Sequence, residues 1–399
     1  MFGTKIEENV FYIGVNDRTK DLFEGIWPIP QGVSYNSYLI KDEKTAIIDL
    51  VDSGKLDEFF SLLESIIDPK EVDYIVLNHL EPDHSGAIPL FRKYNPDVKF
   101  VVNKKTQRVL KNFFDITDNL VVIEDGDTLE LGKRILSFHL IPMVHWPETM
   151  VTFDQSSGLL FTCDAFGGYG ALKGYIFDDQ TDKEDMDFFL QEVIRYYANI
   201  VAMFPKPVLK AINKLKDLSV KAILPSHGLI WRKEPEKIIK VYKELAEKTT
   251  DPDKPGITLI YASMYGNTAK MMNAIAEGIK QTGIHLDIFD AGRMHPSWIL
   301  ASVIDNNGVM IGCPTYEAEI FPPVEYAIEM INKKRIINRK VALFGSYGWG
   351  GGAIKRLKAK TESMKWEFHS EFGFAGGPTP EDLKKAVEFG KIFAESLKK

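Results

Sequence analysis

Short apolar runs alternate with charged, amphipathic stretches along the whole chain, the pattern of strands interleaved with helices. Residues 37–40 and 45–50 read as strands either side of a turn at Lys41-Asp42-Glu43-Lys44, and an amphipathic helix is predicted over 56–67. The run Tyr74-Ile75-Val76-Leu77 predicts a buried strand, with Ser85-Gly86 as a turn opening the next helix. Further strands are predicted at 100–102, 119–123, 135–140, 159–164 and 222–225, with a mainly helical stretch over 182–216. The pattern changes after a charged helix predicted over 234–248, whose Pro235 falls in the first turn, where proline is tolerated. Two prolines and a glycine among charges mark 251–256 as a linker, so the expected domains are 1–250 and 257–399. Beyond it, strands at 257–261, 285–289, 308–312 and 340–344 alternate with helices from Thr268, Pro322 and Gly352, and a last helix begins near Thr379. That order predicts a doubly wound parallel sheet.

A chain of 399 residues exceeds one ordinary core, in keeping with two domains. Its formal net charge of −7 leaves no basic footprint, so nucleic acid is not an expected partner. No run approaches the roughly 20 apolar residues of a membrane span, and Met1-Phe2-Gly3-Thr4-Lys5 lacks the apolar core of a signal peptide, so the cytoplasm is expected. Cys163 and Cys313 are the only cysteines. Without a Cys-x-x-Cys pair, neither a rubredoxin-like iron site nor a cysteine-ligated cluster is expected, and each reads as a small buried residue on a strand.

The densest chemistry is His79-Leu80-Glu81-Pro82-Asp83-His84, which delivers two imidazoles and two carboxylates at one strand end. Packing does not explain that cluster, because buried charges are costly unless paired or bound to metal. His145, Asp164 and His227 each follow a predicted strand and precede a turn, the setting in which a sheet aims a side chain into a cleft. His139 matches no such position and reads as structural or as a support behind the ligands, and His285, His295 and His369 as exposed or turn residues. The arrangement resembles the metallo-β-lactamase superfamily pattern His-x-His-x-Asp-His followed by a distant His, Asp and His, except that Glu81 stands where those hydrolases have the second His. That departure resembles the flavodiiron proteins, and carboxylate in place of imidazole hardens the site toward iron over zinc. The resemblance implies one iron held by His79, Glu81 and His145, a second by Asp83, His84 and His227, and Asp164 between them. Tyr169, Trp146 and Phe166 are expected to wall the pocket.

In the second half, Ala262-Ser263-Met264-Tyr265-Gly266-Asn267-Thr268 lies between a strand and a helix N-terminus, an anion site for a phosphate. There is no Gly-Lys-Ser/Thr and no GxGxxG after the first strand, which points away from ATP and dinucleotides toward a mononucleotide such as FMN. Cys313-Pro314-Thr315-Tyr316-Glu317 and Ser346-Tyr347-Gly348-Trp349-Gly350-Gly351 follow the third and fourth strands, where open α/β sheets bind ligands. The three loops resemble the flavodoxin pattern. By that resemblance Ser263, Met264, Tyr265, Gly266, Asn267 and Thr268 would surround the FMN phosphate, while Pro314, Thr315, Tyr316, Ser346, Tyr347, Gly348, Trp349 and Gly350 would frame the ring.

Together the halves imply a metallo-β-lactamase-like αββα diiron domain followed by a flavodoxin-like FMN domain, an oxidoreductase reducing dioxygen to water, nitric oxide to nitrous oxide, or both. Electron counting agrees: a reduced flavin and a diferrous pair supply four electrons, as dioxygen requires, and two suffice to couple two nitric oxides. The family also implies a separate rubredoxin or similar donor, and a head-to-tail homodimer or a tetramer. A zinc hydrolase carrying a flavodoxin domain, and a non-catalytic electron-transfer or gas-sensing protein, remain the alternatives from other classes.

Overall fold

Residues 3–398 are described by a computed structural model of the chain. Contacts divide it into two compact units, one running to Tyr197 and resuming over Lys206–Lys243, the other comprising Ala198–Pro205 and everything from Glu244 onward. Among the described residues no helix is long and apolar enough to cross a membrane.

The first unit is built on two sheets. One has seven strands in the order Thr4–Glu7, Val10–Tyr12, Tyr38–Lys41, Thr45–Ile48, Tyr74–Val76, Lys99–Asn103 and Leu120–Ile123; the first four pair antiparallel and the rest parallel. The other orders Thr128–Glu130, Ile135–Leu140, Met150–Asp154, Leu159–Cys163 and Ala222–Pro225, antiparallel except for the last pair. Every residue of Thr45–Ile48, Tyr74–Val76, Met150–Asp154 and Leu159–Cys163 is buried. Both faces of these strands are covered, which is why they read as near-continuous apolar runs. The sheets meet where the Tyr38 ring packs edge-on to Phe161 at 5.3 Å and its hydroxyl donates to Pro225 O at 2.6 Å.

The second unit is a five-stranded, wholly parallel sheet ordered His285–Asp290, Gly256–Tyr261, Gly308–Gly312, Lys340–Tyr347, Glu367–Ala375, the 2-1-3-4-5 order of one doubly wound class. Helices Asn267–Lys280 and Pro380–Ser396 approach so closely that a Cβ at Gly278 would lie 1.8 Å from Val387 O. Helix Pro296–Asp305 and strand Glu367–Ala375 are absent from the sequence pattern for opposite reasons. The helix buries seven of its ten residues and so shows little periodicity, whereas the strand lies at the sheet edge and buries only Phe374. The charged helix extends to Thr250 and the next strand starts at Gly256, leaving only 251–255 outside both.

Arg339 is fully buried in this unit, its guanidinium donating to the carbonyls of Val303, Ile304, Ile337 and Lys248 at 2.6–3.2 Å. These include last-turn carbonyls of Pro296–Asp305 and Pro235–Thr250, which lack intrahelical partners. Arg339→Ala strips four carbonyls of their donor, two of these bonds fully buried, and opens a cavity, so urea unfolding of the second unit is expected to lose about 3–5 kcal/mol.

Candidate functional site

Seven side chains converge at one end of the two sheets of the first unit. His79 and Glu81 follow strand Tyr74–Val76, and Pro82–Ser85 is itself a turn of helix rather than part of a loop. Pro82 sits in the first turn of that helix, where its fixed φ fits, and the change from extended to helical backbone sends Asp83 and His84 to a different side from His79 and Glu81. His145 lies between strands Ile135–Leu140 and Met150–Asp154, and His227 follows Ala222–Pro225. Asp164 follows Leu159–Cys163, where Cys163 takes a left-handed φ of +51°, a costly conformation for a non-glycine that turns the chain as the strand ends.

The distances sort these groups into two sets. In one, Glu81 Oε2 lies 3.3 Å from His79 Nε2 and 3.1 Å from His145 Nε2, and Asp164 Oδ2 lies 3.3 Å from both. In the other, Asp83 is 3.4 Å from His84 Nε2 and 3.3 Å from His227 Nε2, and Asp164 Oδ1 is 3.0 and 3.4 Å from the same nitrogens. Asp164 thus turns one oxygen to each set. A metal with bonds of about 2.0–2.2 Å spaces its ligand atoms about 3.0–3.5 Å apart, which is the spacing found. Both Asp83 oxygens, Asp164 Oδ2 and His227 Nε2 are buried without a hydrogen bond, as expected where the atoms of each set face a shared centre instead of pairing with each other. The residues therefore fit a pair of metal ions.

Burial alone would push the four imidazoles down, but the carboxylates facing them outweigh it. His145 rises to about 9 and His227 to about 10, and His79 and His84 are also raised. Against the same burial, His145 and His84 hold Glu81 and Asp164 below the usual carboxylate range. Cys163 brings its thiol within reach of His84 and Asp164, but burial pushes it far up and keeps it neutral. His139 bonds Ser137 at 3.2 Å and belongs to neither set.

Three supporting groups escaped the sequence reading. Glu148 accepts from His79 Nδ1 at 2.7 Å, Tyr196 donates to Asp164 Oδ1 at 2.7 Å, and Asp49 accepts from the backbone and side chain of Asn78. None carried a local signal, since even Glu148, three positions after His145, supports a residue 69 positions away. Of the expected wall aromatics, Trp146 meets the His79 ring edge-on at 5.0 Å and Tyr169 packs on Tyr196. Phe166 packs on Tyr242, and Phe23, which nothing in the sequence marks, stands perpendicular to His227 at 5.3 Å.

In the second unit a cavity of about 520 Å³ opens at the C-terminal ends of the first, third and fourth strands in chain order. It is lined by Met264, Tyr265 and Asn267 from the first loop, Pro314, Thr315 and Tyr316 from the second, and Ser346, Tyr347, Gly348, Trp349 and Gly350 from the third. Ser263, Gly266 and Thr268 lie beside it. Ser263 Oγ is buried with no partner, and Gly266, at φ +85°, frees the N-terminus of helix Asn267–Lys280 with open space where a Cβ would project. Thr268 pairs with Ser346 at 2.9 Å, tying the first loop to the third. Tyr265 and Trp349 are 90% and 100% exposed, unusual for large rings that no apolar surface covers. The nest and its flanking rings fit a flat phosphorylated cofactor.

Comparison with known proteins agrees with this division. Residues 33–228 match the ODP family beta lactamase domain, and residues 259–390 match flavodoxin. The chain is 33% identical to a nitric oxide reductase of Moorella thermoacetica over 98% of both chains. Among solved structures it resembles the rubredoxin oxygen:oxidoreductase of Desulfovibrio gigas, at 30% identity, TM-score 0.93, and 99% and 98% coverage of the two chains. A flavo di-iron protein variant from Thermotoga maritima matches at 32% identity and TM-score 0.91, again over 99% and 98%. A β-lactamase-like domain followed by a flavodoxin domain, shared end to end with these oxidoreductases, means that the chain is an oxidoreductase and belongs to the flavodiiron protein family.

Proposed function

We propose that the chain binds two iron ions and FMN and reduces dioxygen to water, nitric oxide to nitrous oxide, or both, with electrons from a separate rubredoxin or similar carrier. The observation that carries this reading is Asp164, whose two oxygens each face one His-and-carboxylate set at ligand spacing. When bound, the irons supply one electron each and the flavin two more, enough for one dioxygen or for a pair of nitric oxides. His79, Glu81 and His145 would hold one iron, and Asp83, His84 and His227 the other. Ser263, Gly266 and the first turn from Asn267 would take the FMN phosphate, with Tyr347 and Trp349 beside the ring. Tyr196 stays a neutral phenol, because burial and Asp164 push its hydroxyl far up, and it holds its proton at Asp164 Oδ1. Phe23, Tyr169 and Trp146 exclude bulk water, which suits a small uncharged gas. The reading places the protein in the cytoplasm, paired head to tail so that the FMN of one chain serves the irons of the other.

Glu81 weighs against the zinc-hydrolase reading, since a carboxylate there makes the site harder and more anionic. The deciding experiment is anaerobic reduction followed by rapid mixing with each gas under excess reductant. Sustained consumption of either gas is expected. Zinc in place of iron, or a single stoichiometric oxidation without turnover, would overturn the proposal.

A further inference from the structure

We propose that Glu148 is a positioning residue that acts through His79 to make the two irons unequal, so that the one held by His84 and His227 takes up the first electron from the reduced flavin. This rests on the diiron reading above. His79 turns Nε2 toward Glu81 and Asp164, and Nδ1 toward Glu148 Oε1 at 2.7 Å. An acceptor in that position keeps the ring proton on Nδ1 and leaves the Nε2 lone pair for a metal. Glu148 is held in turn. Leu80 N donates to the same oxygen at 3.3 Å, and Asn103 Nδ2 donates to the Glu148 carbonyl at 2.6 Å while Asn103 Oδ1 caps helix Lys104–Phe114. The second oxygen, Oε2, is buried without a hydrogen-bond partner. A carboxylate so enclosed is costly unless a cation offsets its charge, and the cation behind the imidazole would be the iron on His79.

Among the described residues no carboxylate is hydrogen-bonded to an imidazole of the other set in this way; the buried Asp49 carboxylate acts on His84 through space but spends its hydrogen bonds on Asn78. His227 Nδ1 donates to the neutral carbonyl of Ser34 at 2.7 Å, and His84 Nδ1 is buried without a hydrogen-bond partner. A carboxylate raises the basicity of the imidazole it accepts from, and electron density delivered this way favours the ferric over the ferrous ion. An iron held by His79 would therefore be the harder of the two to reduce.

Glu148→Gln keeps the shape and an acceptor oxygen but removes the charge; Glu148→Ala removes both. Iron retention against a chelator and the redox titration of the half-reduced state, followed by electron paramagnetic resonance, are read beside FMN content. In Glu148→Gln, iron affinity is expected to fall about tenfold to a hundredfold. The first and second reduction potentials should also move closer together, with FMN content unchanged. If Glu148→Gln matches wild type in affinity and in both potentials, Glu148 is only a prop and the inference fails, whether or not Glu148→Ala folds. Wild-type protein that takes up no iron would instead overturn the diiron reading, and this inference with it.

Discussion

Asp164→Ala is expected to abolish gas reduction, lowering turnover by more than about a hundredfold, and to strip the protein of most of its iron while FMN stays bound. Every other side chain of the site serves one set, whereas Asp164 alone presents an oxygen to both. Its loss leaves His79 and His145 with Glu81 and Glu148 as their anions, and His84 and His227 with Asp83 alone. It also leaves the Tyr196 hydroxyl without its acceptor in a fully buried position. Because metal that binds only the folded state adds to stability by mass action, the variant should melt near the temperature of chelator-treated wild type. Iron and flavin quantified on the same sample, with a thermal melt, check all three expectations. Loss of FMN together with iron would count against separate diiron and flavin domains, since the candidate flavin residues all fall between Ser263 and Gly350, outside the unit that carries Asp164.

How much of this was legible in the sequence depended on how local each signal is. The His79–His84 hexapeptide needs no partner to be noticed, and His145, Asp164 and His227 share its strand-then-turn setting. The three loops around the cavity were legible for the same reason, because ligands gather at strand C-terminal ends whatever their identity. The backbone change at Pro82, which separates Asp83 and His84 from their neighbours, was hidden because four helical residues are too few to show periodicity. Tyr196 and Glu148 were invisible for another reason. They lie 32 and 69 positions from the residues they support, and a tyrosine ending a helix or a glutamate after Trp146-Pro147 reads as unremarkable until the fold closes. The exposed rings at the cavity of the second unit show the converse, since Trp349 stands among glycines that give no sign of which way it faces.

Glu81→His is expected to convert the metal content from iron to zinc and to bring gas reduction to background while leaving the flavin reducible. The wild-type set around His79 and His145 holds two imidazoles and two carboxylate oxygens, those of Glu81 and Asp164. Substitution makes it three imidazoles and one carboxylate, the softer nitrogen-rich set that suits zinc. Imidazole sites already bind zinc more tightly than ferrous iron, so removing the hard oxygen donor gives up the feature that works against that order. It also removes a negative charge that favours the ferric state and that sits, largely buried, against His79 and His145. Zinc has no accessible redox couple, so electrons reaching the site have nowhere to go, and the reduced flavin should persist when dioxygen is admitted except for slow direct oxidation. Metal analysis of variant and wild type produced in the same medium, with flavin absorbance followed after mixing with gas, tests this. A variant that keeps two irons and wild-type turnover would show that Glu81 does not select the metal, and that the chemistry separating this chain from the hydrolases lies elsewhere in the site.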